Sequence, residues 1–116
     1  MAYEDALLVV SSAAKTTTGQ TGALAAAKGQ LLHVLADVTA ASGTTPSLTL
    51  SVEWSMDAGT TWAQVDATAD AFAAVTATGT KVKTFNVRAP YYRLVWTITG
   101  TTPSFTFSAR SYVTTQ

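Results

Sequence analysis

At 116 residues the chain has room for one domain with its own hydrophobic core, and with no cysteine it can hold neither a disulfide framework nor a cysteine-bound zinc. Hydrophobic residues make up 47% and charged residues 12%, the latter about half the ordinary share, which argues against disorder. Net charge is zero, and the absence of a dense basic stripe speaks against nucleic-acid binding.

The charge is unevenly spread along the chain. All seven acids (Glu4, Asp5, Asp37, Glu53, Asp57, Asp66, Asp70) precede residue 71, while Lys81, Lys83, Arg88, Arg93 and Arg110 follow residue 80. Such a split predicts cross-strand ion pairs between the two halves of a sheet. The alternative is a two-signed surface suited to docking.

In chain order, the first expected strand covers residues 6–12. Its apolar run is too short for a secretory leader, and nothing in the chain approaches the apolar length of a membrane span. The "TTTGQTG" stretch that follows reads as a flexible connector, because it lacks the Lys and the helix of a phosphate-binding loop. Residues 1–22 are therefore expected to form a strand or arm plus connector, with a β-sandwich over 23–116. Leu7 and Val9 lie in that arm, which could pair with the edge of a neighbouring subunit.

Residues 30–40 place Leu32, Val34, Ala36 and Val38 on one strand face. The other face carries Leu31, His33, Leu35 and Asp37, too apolar for plain solvent. Residues 47–56 alternate cleanly, with Leu48, Leu50, Val52, Trp54 and Met56 on the buried side. Short strands are expected at 61–65 and 81–87, and residues 67–79 fit either a strand or a helical turn. Tyr92, Leu94, Trp96 and Ile98, then Phe105, Phe107, Ala109 and Val113, complete two further alternating strands. Seven or eight short strands broken by Gly, Thr and Pro turns predict an all-β chain, an antiparallel β-sandwich of jelly-roll or immunoglobulin-like type. Trp54 and Trp96 are expected in its core.

Two segments echo each other. "GTTPSLTLS" at 43–51 returns as "GTTPSFTFS" at 100–108, and only Leu48 and Leu50 are replaced, by Phe105 and Phe107. The echo predicts two similar hairpin corners, a local solution used twice or the trace of a duplication. Pro46 and Pro103 stand at strand starts, where a missing N–H is tolerated.

Candidate chemistry is sparse. His33 is the single histidine; Asp37, four residues along the same strand, would lie about 13 Å away, beyond hydrogen-bond reach. Glu53 and Asp57 do not form a glycosidase pair, since one sits on a strand face and the other in a turn. No serine occupies a nucleophile elbow. Tyr91, Tyr112 and Trp62 are flat side chains that could stack on sugars or on a protein partner. No catalytic residue, cofactor or metal ligand is expected.

"SMDAGTTW" at 55–62 has the spacing Ser-x-Asp-x-Gly-x-x-Trp and resembles the Asp-box of sialidase-type propellers, where the motif is a structural hairpin. One copy cannot build a propeller, so Ser55, Asp57, Gly59 and Trp62 are read as a structural turn. Asp57 would accept turn N–H groups and Gly59 would take a positive φ.

Three marks together resemble a small β-sandwich family of structural proteins in tailed bacteriophages: the Val-Thr…Ser-Gly-Thr-x-Pro-x-Leu corner at 38–48, the Ser-x-Asp-x-Gly-x-x-Trp hairpin at 55–62, and Arg-x-x-Trp-Thr-x-x-Gly-x-x-Pro-Ser-Phe-Thr-Phe at 93–107. With the residues between them, the likeness runs over residues 37–62 and 91–109, about two fifths of the chain. The resemblance implies a non-enzymatic virion subunit, assembled in the bacterial cytoplasm. The favoured role is a head decoration (cement) protein on the major capsid protein lattice, with a tail or head–tail joining component as the alternative within the virion. A carbohydrate-binding module is the reading from another class. The expected partners are the major capsid protein or other virion subunits and further copies of the chain, a trimer being favoured. Neither nucleic acid nor membrane is expected. Leu31, Leu35, Leu7 and Val9 are the expected contact residues.

Overall fold

Alternating side chains let a strand bury one face, and two stretches here sustain that pattern far beyond an ordinary strand. A computed structural model describes residues 7–26, 29–65 and 70–115. Its strands are β1 (Leu7–Lys15), β2 (Gly19–Gln20), β3 (Leu24–Ala25), β4 (Leu31–Ser55), β5 (Asp70–Ala71), β6 (Gly79–Asn86) and β7 (Tyr91–Thr114). No helix occurs among the described residues. The chain is all-β and antiparallel, as expected.

β4 and β7 form the spine. They pair antiparallel along their whole length, from Leu31↔Thr114 to Ser55↔Tyr91. Extended, 25 residues would reach about 80 Å, yet the longest dimension of the molecule is 42 Å. The ribbon is therefore folded on itself. Contacts between its two ends show this directly: the Tyr92 hydroxyl meets Ser111 Oγ at 2.7 Å, and Trp96 stands edge-on to Phe107 at 5.8 Å.

The bend falls where the sequence repeats. The two Gly-Thr-Thr-Pro segments are not separate hairpin corners, because neither β4 nor β7 pairs with itself. They lie opposite each other in the ribbon, around the pair Thr44↔Thr101, where the register slips on both sides. Gly43 and Gly100 hold φ of 112° and 123°, and Thr45 and Thr102 hold 47° and 46°. A Cβ on Gly43 would stand 2.7 Å from the Thr102 carbonyl, and one on Gly100 would stand 2.9 Å from that of Thr45. Each glycine makes room for the other corner's backbone. Pro46 and Pro103 fall in this irregular stretch, where a missing N–H breaks no ladder bond.

Folding the ribbon creates two layers from one hydrogen-bonded sheet. The first runs β1, the end of β7, the start of β4, then β6. The second has β2 and β3 beside the start of β7, then the end of β4 with β5. Bridges at Leu48↔Val75 and Trp54↔Ala63 extend that last edge. Leu32, Val34, Ala36, Val38, Phe105, Phe107 and Ala109 from one layer meet Leu48, Leu50, Val52, Trp54, Tyr92, Leu94 and Ile98 from the other in a single core. Leu50 and Phe107 both point into it, as their alternation predicts.

Several expectations shift in detail. Of the strand expected at 61–65, one bridge at Ala63 is present. Of residues 70–75, Asp70–Ala71 form a short strand and Val75 a single bridge, with no helical turn, and Phe72 and Val75 are both buried; residues 67–69 lie outside the described residues. Met56 is 76% exposed, since the chain leaves the sheet after Ser55 and alternation ends there. Trp96 is half-buried at the rim, packed against the core and against Gly19. β1 and β2 both pair with β7, so pairing shows no break at residue 22 between an arm and the sandwich.

Candidate interaction face

The outer side of the first layer is where the expected contact residues can be placed. Cross-strand register sets Leu8 beside Arg110, Arg110 beside Leu35, and Leu35 beside Val82. Neighbouring strands lie about 4.8 Å apart, so this row crosses the layer in about 14 Å. The next row holds Tyr112, His33 and Thr84. Leu35 is 38% exposed, Tyr112 48% and Val82 70%. A shallow depression of about 300 Å³ is lined by His33, Val34, Leu35, Val82, Arg110 and Tyr112. Large apolar side chains grouped this way mark contact surfaces more often than they mark plain solvent boundary.

His33 is held as a structural part of this face. Its Nδ1 lies 2.9 Å from Thr84 Oγ1, its Nε2 lies 2.9 Å from Thr114 Oγ1, and its ring stacks on Tyr112 at 4.6 Å. A neutral imidazole has one donor and one acceptor, and hydroxyls satisfy both. Asp37 is turned to another task, accepting a bond from Thr80 Oγ1 at 3.0 Å.

The four expected contact residues separate. Leu35 belongs to the row and Leu7 is exposed near its β1 end, whereas Leu31 is half-buried and Val9 packs against the core. Tyr112, one of the expected exposed aromatics, lies on this face, whereas Val82 and Leu8 are members that the residues did not single out. Alternation in "KVKTF" does place Val82 outward, but nothing in the residues says that β6 lies beside β4.

The outer side of the second layer differs in kind. Arg93 reaches Glu53 at 2.6 Å across the β4–β7 ladder, and its guanidinium stacks on the Trp62 ring at 4.5 Å. Trp62 is brought there by the Asp-box turn. Ser55 Oγ donates to Asp57 Oδ1 at 2.8 Å and accepts the Gly59 N–H at 2.9 Å, while Asp57 Oδ1 accepts the Thr61 N–H at 2.8 Å. The Thr61 N–H first, then the Ser55 hydroxyl, hold the Asp57 carboxyl below the usual aspartate range. The turn is structural, and its indole covers the ion pair.

A second hollow of about 310 Å³ lies between Trp54, Met56, Ala63 to Val65, Arg88 and Ala89. At its rim Asp70 accepts from Trp54 Nε1 and from Arg88, both at 2.9 Å. Residues 66–69, next to it in sequence, lie outside the described residues. The Arg88–Asp70 and Arg93–Glu53 pairs each join an early acid to a late base, as the uneven charge predicts.

The two edges of the first layer also differ. β6 carries Lys81 and Lys83, charges that discourage strand addition. β1 carries none before Lys15, although bulges near Val10 interrupt its register. Among the described residues no cluster of three or more His, Cys, Asp or Glu side chains could hold a metal ion. The chain matches no protein-family model, no curated protein and no solved structure.

Proposed function

We propose that this chain is a non-enzymatic structural subunit of a tailed-bacteriophage virion, a head decoration protein that docks on the major capsid protein lattice and associates with further copies of itself. The observation that carries this reading is the outward row Leu8, Arg110, Leu35 and Val82 with Tyr112 beside it, a largely apolar surface interrupted by one arginine, on a chain with little charge to keep it solvated. The motifs resembling phage sandwich proteins, at 38–48, 55–62 and 93–107, supply the virion context. The polar side chains singled out from the sequence are engaged in holding the fold: His33 between threonines, Glu53 on Arg93, Asp57 in its turn.

The layer's outer side measures about 19 by 26 Å from strand spacing and rise, or about 500 Å². That is below the roughly 800 Å² per partner of a standard stable interface. A lattice that engages the subunit at several points fits such a surface better than a lone face-to-face dimer. Deleting the gene is expected to yield particles that lose their genome at lower temperature. A Val82→Glu copy supplied in trans should fail to restore them while folding normally in isolation. Full rescue by Val82→Glu, or deletion particles as heat-resistant as the parent, would overturn the reading.

A further inference from the structure

The echo at 43–51 and 100–108 is the visible part of a repeat that runs through the whole fold. Thr44↔Thr101 maps onto itself when the halves are exchanged, and the rungs on either side map in pairs. Leu48↔Ile98 matches Ala41↔Phe105 at the 57-residue offset of the echo. Beyond the one-residue register slip between Val38 and Ala40, Leu50↔Trp96 matches Val38↔Phe107, Val52↔Leu94 matches Ala36↔Ala109, and Trp54↔Tyr92 matches Val34↔Ser111. The flanking strands follow in the same order, at offsets of 59 or 60 residues. Gly19↔Trp96 corresponds to Gly79↔Val38, Leu24↔Tyr92 to Lys83↔Val34, and Lys15↔Phe105 to Val75↔Leu48. An approximate two-fold axis therefore passes the Thr44–Thr101 pair and relates the described residues of 7–55 to the described residues of 63–115.

The second fact concerns where the rungs go. β1, β2 and β3 pair with β7, and β5 and β6 pair with β4. Every ladder among the described residues thus joins one half to the other, and none lies within a half. The bridges Leu48↔Val75 and Trp54↔Ala63, and the bonds Thr21 N to Leu94 O and Val87 N to Gln30 O, cross in the same way. The covalent link between the halves is the turn at 56–62, whose bonds among Ser55, Asp57, Gly59 and Thr61 are its own.

We infer that the chain is a covalently joined, intertwined dimer of two similar half-units, β1–β4 and β5–β7, and that the partner fitting the ladders of either half is the complementary half of a second copy of this chain. A closed monomer and an exchanged dimer contain the same rungs and the same core. They differ in the 56–62 turn and in the effective concentration that this turn provides. Exchange of halves is then a route to linked copies that needs no new surface, and it stands whether or not the virion reading does.

Two damaged full-length chains test it. Leu48→Asp with Leu50→Asp puts charges into the buried core of the first half, and Phe105→Asp with Phe107→Asp does so in the second. Each variant alone should lack β-sheet signal. Refolded together from urea, they are expected to yield at least about tenfold more folded protein than either alone, at twice the chain mass, with the damaged halves left out. A first-half variant mixed with Val34→Asp, also damaged in the first half, should give no rescue. Failure of the opposite-half pair to exceed that control would overturn the inference. If the variants precipitate, the folded wild-type chain cleaved at a protease site inserted between residues 58 and 60 decides. Its halves should stay together and melt at a temperature that rises with concentration. A β-sheet signal in either purified half as a monomer, or a concentration-independent melt, would sink the idea.

Discussion

Replacing Gly43 by alanine is expected to destabilise the protein by about 2–4 kcal/mol. Its φ of 112° lies where L side chains are strained, at a cost of about 1–3 kcal/mol. The new Cβ would also stand 2.7 Å from the Thr102 carbonyl oxygen and 2.8 Å from Pro103 Cα. Both are backbone atoms, so the opposite corner must shift, at about 1–3 kcal/mol for overpacking. The lower entropy of the unfolded alanine chain returns less than about 1 kcal/mol. Gly100→Ala should behave alike, because its Cβ would meet Thr45 O and Pro46 Cα at 2.9 and 3.0 Å. Gly22→Ala is the control: nothing lies within 4 Å of its Cβ, and a change within about 0.5 kcal/mol is expected. Urea unfolding followed by circular dichroism reads this out. At a slope near ~2 kcal/mol/M the corner variants should lose about 1–2 M in midpoint. Corner variants that unfold with the Gly22→Ala control would refute the interlocked corners and the two-fold relation built on them.

Trp54→Ala should cost about 3–5 kcal/mol, and Trp96→Ala distinctly less, since Trp96 is half-buried; paired urea melts would show the order reversed if the rim placement were wrong. Tyr92→Phe leaves the buried Ser111 hydroxyl without its partner, an expected loss of about 1–3 kcal/mol in the same assay. Burial first raises the Tyr92 hydroxyl above its ordinary 10.0, with the Ser111 bond pulling the other way. Its stabilisation is therefore complete below pH 10 and lost as pH rises through the raised value. The alkaline limb of a melting-temperature profile should flatten in Tyr92→Phe, and an unchanged limb would exclude the residue. Asp57 works in the opposite sense: its carboxyl lies below the ordinary 3.8. Its contribution is present above that value and disappears as pH falls through the lowered one. Between pH 5 and 2 the wild type should lose more stability than Asp57→Asn, and parallel acid curves would contradict the turn bonding.

Much of the fold is legible in side-chain alternation. Leu32 to Val38, Leu48 to Trp54 and Phe105 to Ala109 each announce a half-buried strand, and each is one. Alternation is local, however, and it ends at every glycine. "SGTTPS" therefore reads as a turn from the residues alone. Its real role, two corners fitted against each other inside a continuous ribbon, depends on Thr102 and Pro103 lying beside Gly43, a contact across the fold. β2 and β3 are two-residue strands whose bonds go to β7 with no periodic signal to mark them. The candidate face was half visible: Leu35 follows from period two, but Val82 and Leu8 join it through strand order alone. The Asp-box behaved as its residues suggest, because Ser55, Asp57 and Gly59 satisfy one another within five residues.

The measurement closest to the proposed virion role, which places this gene in a phage or prophage, is quantitative mass spectrometry of particles purified after induction of the strain that encodes it. The account expects the chain in every particle at a copy number comparable with the major capsid protein or a simple fraction of it, retained through density-gradient purification. A chain abundant in the infected cell yet missing from the purified particles would contradict it.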